Sequence, residues 1–170
     1  MAVAVAIVVL VILQRLMELR IARRNTSVLL AEGAVEHGAG HYPVIVLLHA
    51  TWLVAMLWTA LQGPPINYYW VAFFLVLQAG RVWVLTTLGK YWTTRIITVP
   101  DAPLITGGPF RFVRHPNYLV VALEIIVLPL AFHEWRMAVF FGLANLAVLA
   151  WRIRAEERAN AGRKEAEIPS

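Results

Sequence analysis

Five apolar stretches, each near the length needed to cross a bilayer, constrain this chain more than any other feature. A helix needs roughly 20 predominantly apolar residues to traverse a hydrocarbon core of about 30 Å. Such runs fall at about Ala2–Ala22, Tyr42–Leu61, Asn67–Leu88, Asn117–Phe132 and Trp135–Arg154. Of the 170 residues, 60% are hydrophobic and 15% charged, against about 25% charged in a typical soluble domain. The expected fold class is therefore all-α integral membrane, with five transmembrane helices and a cytoplasmic cap, or connector, between helices 3 and 4. The apolar N-terminus has no preceding basic region and no clear small-residue cleavage site, so it reads as a retained first span. The fourth run is short and carries Glu124 and Pro129, which predicts a helix sheltered by its neighbours.

Charge predicts orientation. Arg15, Arg20, Arg23 and Arg24 follow the first span. Lys90, Arg95, Arg111 and Arg114 lie between the third and fourth, and Arg152, Arg154, Arg158, Arg163 and Lys164 end the chain. In a five-span arrangement all of these fall on one side, which the positive-inside rule assigns to the cytoplasm, leaving the N-terminus outside. The net charge of +5 is explained by this topology, without nucleic acid as a partner. Gln62-Gly-Pro-Pro-Ile66 and His133-Glu134 are short outer turns, and the last two helices form a hairpin. The whole reads as one domain over residues 1–170. Three N-terminal spans occupy 1–88, a connector with a helical hairpin 89–158, and a tail 159–170. With no cysteine, disulfides, thiolate metal sites and cysteine nucleophiles are excluded.

The connector, Gly89 to His115, is too rich in aromatic and β-branched residues to be disordered. Thr93-Thr-Arg-Ile-Ile-Thr-Val99 predicts a short extended or hairpin-like segment. A loop of this length is usually functional.

Ionisable groups within spans are costly and point to function by default. Arg81 and Gln78 share a face of the third span, and Glu124 sits in the fourth. One reading is a structural Arg81–Glu124 pair locking two helices; the other has Gln78 and Arg81 lining a pocket. In the fifth span Asn145, Arg152 and Glu156 share one face, with Glu157 about 100° around. Arg154 and Arg158 read as snorkelling anchors. The polar stripe predicts a cavity near Arg111, Arg114 and His115, with Phe110, Phe112, Tyr118 and Trp92 close by. That set suits a zwitterionic ligand bearing a flat ring. His37 and His41 are four apart, but Gly38 and Gly40 argue against a helix there and no third ligand is evident, so no metal is expected. His49 reads as a hydrogen-bonded core histidine that could also line a substrate tunnel.

Gly108-Pro-Phe-Arg-Phe-Val-Arg-His-Pro-Asn-Tyr118, then a hydrophobic hairpin, then Arg152-Ile-Arg-Ala-Glu-Glu157, resembles the isoprenylcysteine carboxyl methyltransferase family. It is also similar to the related phospholipid N-methyltransferases. The strong match covers about Gly89 to Arg158. Upstream, Glu36-His-Gly-Ala-Gly-His-Tyr-Pro43 and Thr94-Arg-Ile-Ile-Thr-Val-Pro100 resemble the short bacterial branch, some members of which methylate alkylpyrones and phenolic lipids.

The resemblance implies an S-adenosylmethionine-dependent enzyme of the bacterial cytoplasmic membrane. Its cofactor would be bordered by His115, Pro116, Tyr118 and Glu156 or Glu157, with Arg114 nearby and Gln78 and Arg81 as further lining. Arg152, Glu156 and Glu157 are the candidate catalytic residues, O-methylating a lipophilic small-molecule acceptor, a phenolic or pyrone lipid or a prenylcysteine-like carboxylate, with membrane lipids as the other partner. A phenol or enol acceptor needs a general base; a carboxylate does not. Leu119 stands where the family often has a small residue. Two other readings are a sterol-type reductase using a reduced nicotinamide cofactor and a non-catalytic lipid-binding protein.

Overall fold

The computed structural model describes residues 1–37, 40, 42–100, 102 and 105–160. His41, Arg163 and Lys164 lie outside them. Five helices dominate: α1 (Ala2–Ala31), α2 (Tyr42–Leu61), α3 (Tyr68–Leu88), α4 (Pro116–Ala131) and α5 (Trp135–Asn160). Four of these are long and apolar enough to cross a membrane, and α4 is a shorter apolar helix. Two helices exceed the apolar runs that seeded them. α1 continues past Ala22 to Ala31, and α5 continues past Arg154 to Asn160, so Glu156 and Glu157 are helical.

The helices alternate in direction. At one end a Cβ added to Gly63 would lie 3.5 Å from Met1 Cβ, so the N-terminus sits beside the α2–α3 turn. At the same end the Asn67 N–H donates to Ala131 O at 2.8 Å, joining the start of α3 to the end of α4. At the other end the α1–α2 and α3–α4 connectors meet. β1 (Val35–His37) pairs antiparallel with β2 (Ile96–Thr98), with Glu36 opposite Ile97. The predicted extended segment is thus real, but its partner is the earlier connector and not a local hairpin arm. His37 belongs to this ribbon, its Nε2 2.7 Å from Thr98 Oγ1. Among the described residues no group of three metal-ligating side chains occurs.

Local sequence explains the joints. Asn67 caps α3 by accepting from the Tyr69 and Trp70 amides. Pro116 opens α4, where a missing N–H costs nothing and its fixed φ suits a helix. Pro129 falls in the last turn of α4. His133 takes a positive φ of 61° in the turn to α5. Gly142 lets α5 approach α4 closely, since a Cβ there would meet Ile126 Cγ1 at 3.0 Å.

The apolar core joins Val8 of α1, Trp52 and Met56 of α2, Phe74 of α3, Leu128 and Phe132 around the end of α4, and Phe141 of α5. Large apolar side chains such as Leu10, Leu47, Leu75 and Leu143 point outward. In a bilayer such a surface meets lipid, so it is no liability.

Buried within this core is a balanced charge cluster. Glu124 is fully buried and accepts from Arg15 Nη2 at 2.6 Å, Gln78 Nε2 at 2.7 Å and Arg81 Nη1 at 3.2 Å. Arg81 Nε donates to Glu18 Oε1 at 2.6 Å, and Arg15 Nη1 to Glu18 Oε2 at 3.0 Å. Two guanidiniums and two carboxylates therefore tie α1, α3 and α4 together. Arg15 belongs to this cluster and is not a flanking charge. A buried pair is costly to half-remove because the remaining partner is left uncompensated.

Candidate active site

The α3–α4 connector folds over one end of the helices. After α3, a 3-10 turn over Gly89–Tyr91 leads to Trp92, whose carbonyl accepts from Asn25 Nδ2 of α1 at 2.8 Å. Ile96 is buried, and Arg95 forms an ion pair with Glu36 at 2.8 Å. A second 3-10 turn over Gly108–Arg111 then packs on α3. Gly108 has φ 58°, and a Cβ there would sit 2.6 Å from Thr87 Oγ1, so only glycine suits both the backbone and the contact.

Between connector and helices lies a cavity of about 600 Å³, within the range of small-ligand sites. His115, Pro116, Asn117 and Tyr118 reach it from the start of α4, and Arg152, Glu156 and Glu157 from the end of α5. Two segments far apart in sequence thus converge as the motif spacing predicts. The Tyr118 hydroxyl donates to Glu156 Oε2 and accepts from Arg152 Nε at 2.8 Å. Arg152 Nη1 donates to the Thr94 carbonyl at 2.8 Å, which pins the connector to α5. The His115 ring stacks on Tyr118, with centroids 5.4 Å apart and planes 20° from parallel. At the rim, Glu157 Oε1 lies 3.5 Å from Arg114 Nη1 and 3.8 Å from His115 Nε2. The two glutamates are therefore different in kind. Glu156 is tied into the Tyr118–Arg152 network, whereas Glu157 is a rim carboxylate facing two cationic or imidazole groups.

Gln78 and Arg81 are not part of this cavity. Their shared face is as expected, but it turns toward Glu18 and Glu124 deeper in the bundle. The structural Arg81–Glu124 pair is present, and the pocket-lining reading of these two residues is corrected. His49 hydrogen-bonds through Nδ1 to Ile45 O at 2.9 Å, as a core histidine does. Asn145 is buried on α5 but does not reach the cavity, so the polar stripe opens into it only at Arg152 and Glu156. Leu119 points outward and leaves the cavity lining unaltered. Two groups were missed from sequence: the Thr94 carbonyl, which holds Arg152 at the cavity, and Glu18, which belongs to the buried charge cluster. Glu18 had a visible signal, an acidic residue inside an apolar run.

The sequence model of the isoprenylcysteine carboxyl methyltransferase (ICMT) family matches residues 70–161, more than half of the chain, and includes both halves of the cavity. The chain belongs to this family. It is 35% identical over 157 residues to the uncharacterized protein YpbQ of Bacillus subtilis (strain 168), covering 90% of this chain and 94% of that protein. It is 28% identical over 151 residues to an uncharacterized protein of Haemophilus influenzae, covering 85% of this chain and 87% of the other. No solved structure gives a significant match. Family membership and the apolar helices make this an integral membrane protein of a methyltransferase family whose acceptors are lipophilic.

Proposed function

We propose that the protein transfers a methyl group from S-adenosylmethionine to an oxygen of a lipophilic acceptor, at a cavity on the cytoplasmic face. One observation carries this reading: His115, Tyr118, Arg152 and Glu156 meet in a single cavity whose rim includes the exposed apolar residues Phe112 and Val113. A polar donor site and an oily approach thus adjoin. The lining suits the zwitterionic cofactor. His115, Arg114 and the positive end of α4 would hold a carboxylate, because a helix start favours anions. Glu157 is placed to accept from an ammonium. Trp92, His115 and Asn117 are among the residues that line this cavity. When bound, S-adenosylmethionine supplies a methyl carbon already activated by its sulfonium.

The chain's own residues then have two tasks, alignment and proton removal. An acceptor hydroxyl entering beside Glu156 can replace the Tyr118 hydroxyl as donor to that carboxylate, which takes its proton. Arg152, held by Thr94 and Tyr118, stands next to the oxygen that becomes anionic. The lining carries four arginines and two glutamates, an excess of positive charge that favours an acidic or anionic acceptor over an amine. A phenolic or pyrone lipid is the first choice, since it uses the base; a prenylcysteine-like carboxylate is the second. Arg20, Arg23, Arg24, Lys90, Arg95, Arg111 and Arg114 lie at the cavity end of the bundle. By the positive-inside rule this end faces the cytoplasm, with α4 as the fourth of five crossings and the N-terminus outside.

The test is to incubate membranes containing the protein with methyl-labelled S-adenosylmethionine and a lipid extract, and to identify the labelled product by mass. A methyl ether supports the phenol or enol reading, and a methyl ester the carboxylate. A methylated amine would overturn the acceptor class. Binding of a reduced nicotinamide cofactor in place of S-adenosylmethionine would move the site to the reductase reading.

A further inference from the structure

The guanidinium of Arg152 is gripped by a main-chain carbonyl, Nη1 donating to Thr94 O at 2.8 Å. A carbonyl fixes its donor only as firmly as its own backbone is held. Thr94 lies just before β2, and the chain on both sides of it is tied to the N-terminal part of the protein. Upstream, Asn25 Nδ2 of α1 donates to Trp92 O at 2.8 Å and to Gly89 O at 3.2 Å. Downstream, Arg95 Nη1 donates to both carboxylate oxygens of Glu36, at 2.8 and 3.2 Å. The ribbon register sets Glu36 opposite Ile97, which makes Arg95 its diagonal neighbour on the same face. The Arg95 guanidinium also lies 5.1 Å from the centroid of the Tyr42 ring at the start of α2, and Thr94 Oγ1 donates to the Tyr42 hydroxyl at 3.4 Å.

The stability of the fold does not reside in these contacts. The Arg95 and Glu36 side chains keep 44% and 22% of their surface exposed, and exposed ion pairs contribute little to stability. None of Asn25, Glu36 and Tyr42 lines the cavity. All three also precede residue 70, where the family match begins. What they share is the segment that carries the Thr94 carbonyl.

We propose that Asn25, Glu36 and Tyr42 are positioning residues for Arg152: they hold the connector on either side of Thr94 and so set where the guanidinium stands. This rests on the methyl-transfer reading above. A displacement of about 1 Å at a reacting group can slow a reaction about a hundredfold. Contacts that matter little to the fold can therefore matter greatly to the rate.

The experiment puts a like charge against Arg95 with Glu36→Lys, in the purified full chain in detergent. Protein loaded with saturating methyl-labelled S-adenosylmethionine is mixed with increasing amounts of the lipid extract, and product formation in a single turnover is timed. The limiting rate should fall about tenfold, while the amount of extract giving half that rate changes by less than about threefold. Affinity for the product S-adenosylhomocysteine should change by less than about threefold, and the unfolding midpoint by no more than about 3 °C. Asn25→Ala should give the same signature from the other side of Thr94. On an Arg152→Lys background, Glu36→Lys should slow the remaining rate by less than about twofold, because the grip it disturbs is already lost. Limiting rates within about twofold of the unaltered protein in both Glu36→Lys and Asn25→Ala overturn the proposal and leave the methyl-transfer reading standing. So does a loss that persists in full on the Arg152→Lys background, or one matched by an equal loss of S-adenosylhomocysteine affinity. If the unaltered protein transfers no methyl group, the activity itself fails and takes this proposal with it.

Discussion

Glu124→Gln is the most revealing single change outside the cavity. The carboxylate is fully buried and accepts from Arg15, Gln78 and Arg81. The substitution keeps the shape and removes the charge, so Arg15 and Arg81 are left sharing Glu18 alone. Removing one partner of a buried ion pair costs about 3–5 kcal/mol, mostly from the charge left uncompensated. For a chain of this size about 1 kcal/mol corresponds to about 2–4 °C, so the unfolding midpoint should fall by roughly 6–20 °C. The assay is the temperature at which monodisperse protein in detergent is half lost, followed by gel filtration. A charge-balanced double variant, Arg81→Met with Glu124→Leu, leaves the Arg15–Glu18 pair intact at 3.0 Å and should lose less than Glu124→Gln. A Glu124→Gln midpoint within about 1 °C of the unaltered protein would refute the reasoning that net charge imbalance sets the cost. So would a double variant that loses the sum of its singles.

Tyr118→Phe removes the hydroxyl that accepts from Arg152, and methyl transfer under single turnover should slow by about tenfold, the order of one net hydrogen bond lost in positioning that guanidinium; S-adenosylhomocysteine affinity, measured in parallel, should change by less than about threefold. Gly108→Ala forces both a positive φ and a Cβ 2.6 Å from Thr87 Oγ1, so it should loosen the connector by about 1–3 kcal/mol. Faster proteolysis between α3 and α4 is the readout, and Thr87→Ala should relieve part of the effect. Because the chain has no cysteine, Val35→Cys with Thr98→Cys introduces a clean pair at facing positions of the ribbon. A short bifunctional thiol reagent should link them in intact membranes, and absence of cross-linking would contradict the pairing of the two connectors.

The helices were legible because a bilayer imposes length and hydropathy on anything that crosses it. The site was legible in part because Arg152 and Glu156, four apart on a helix, must share a face, and because Pro116 marks a helix start beside His115. What sequence could not supply was direction. Gln78 and Arg81 share a face too, but nothing in a one-dimensional pattern says whether that face meets a cavity or a neighbouring helix. Arg15 looked like a flanking charge because its partner Glu124 lies 109 positions away. The strand at Ile96–Thr98 was visible from its β-branched residues, whereas its partner, Val35–His37, is a short polar-flanked segment with no periodicity of its own. The Thr94 carbonyl, a main-chain group, has no sequence signature at all.

The three-residue turn from Phe132 to Glu134 has a consequence for how the protein tolerates its surroundings. Tyr118 and Glu156 are 38 positions apart, yet they are neighbours because α4 descends and α5 returns as one tightly packed hairpin. Membranes of different thickness are accommodated largely by helix tilt. Both arms share that tilt, so it alters the depth of the pair far more than the register between its members. The chemistry travels with the hairpin, and the same alignment can serve in thin and thick bilayers.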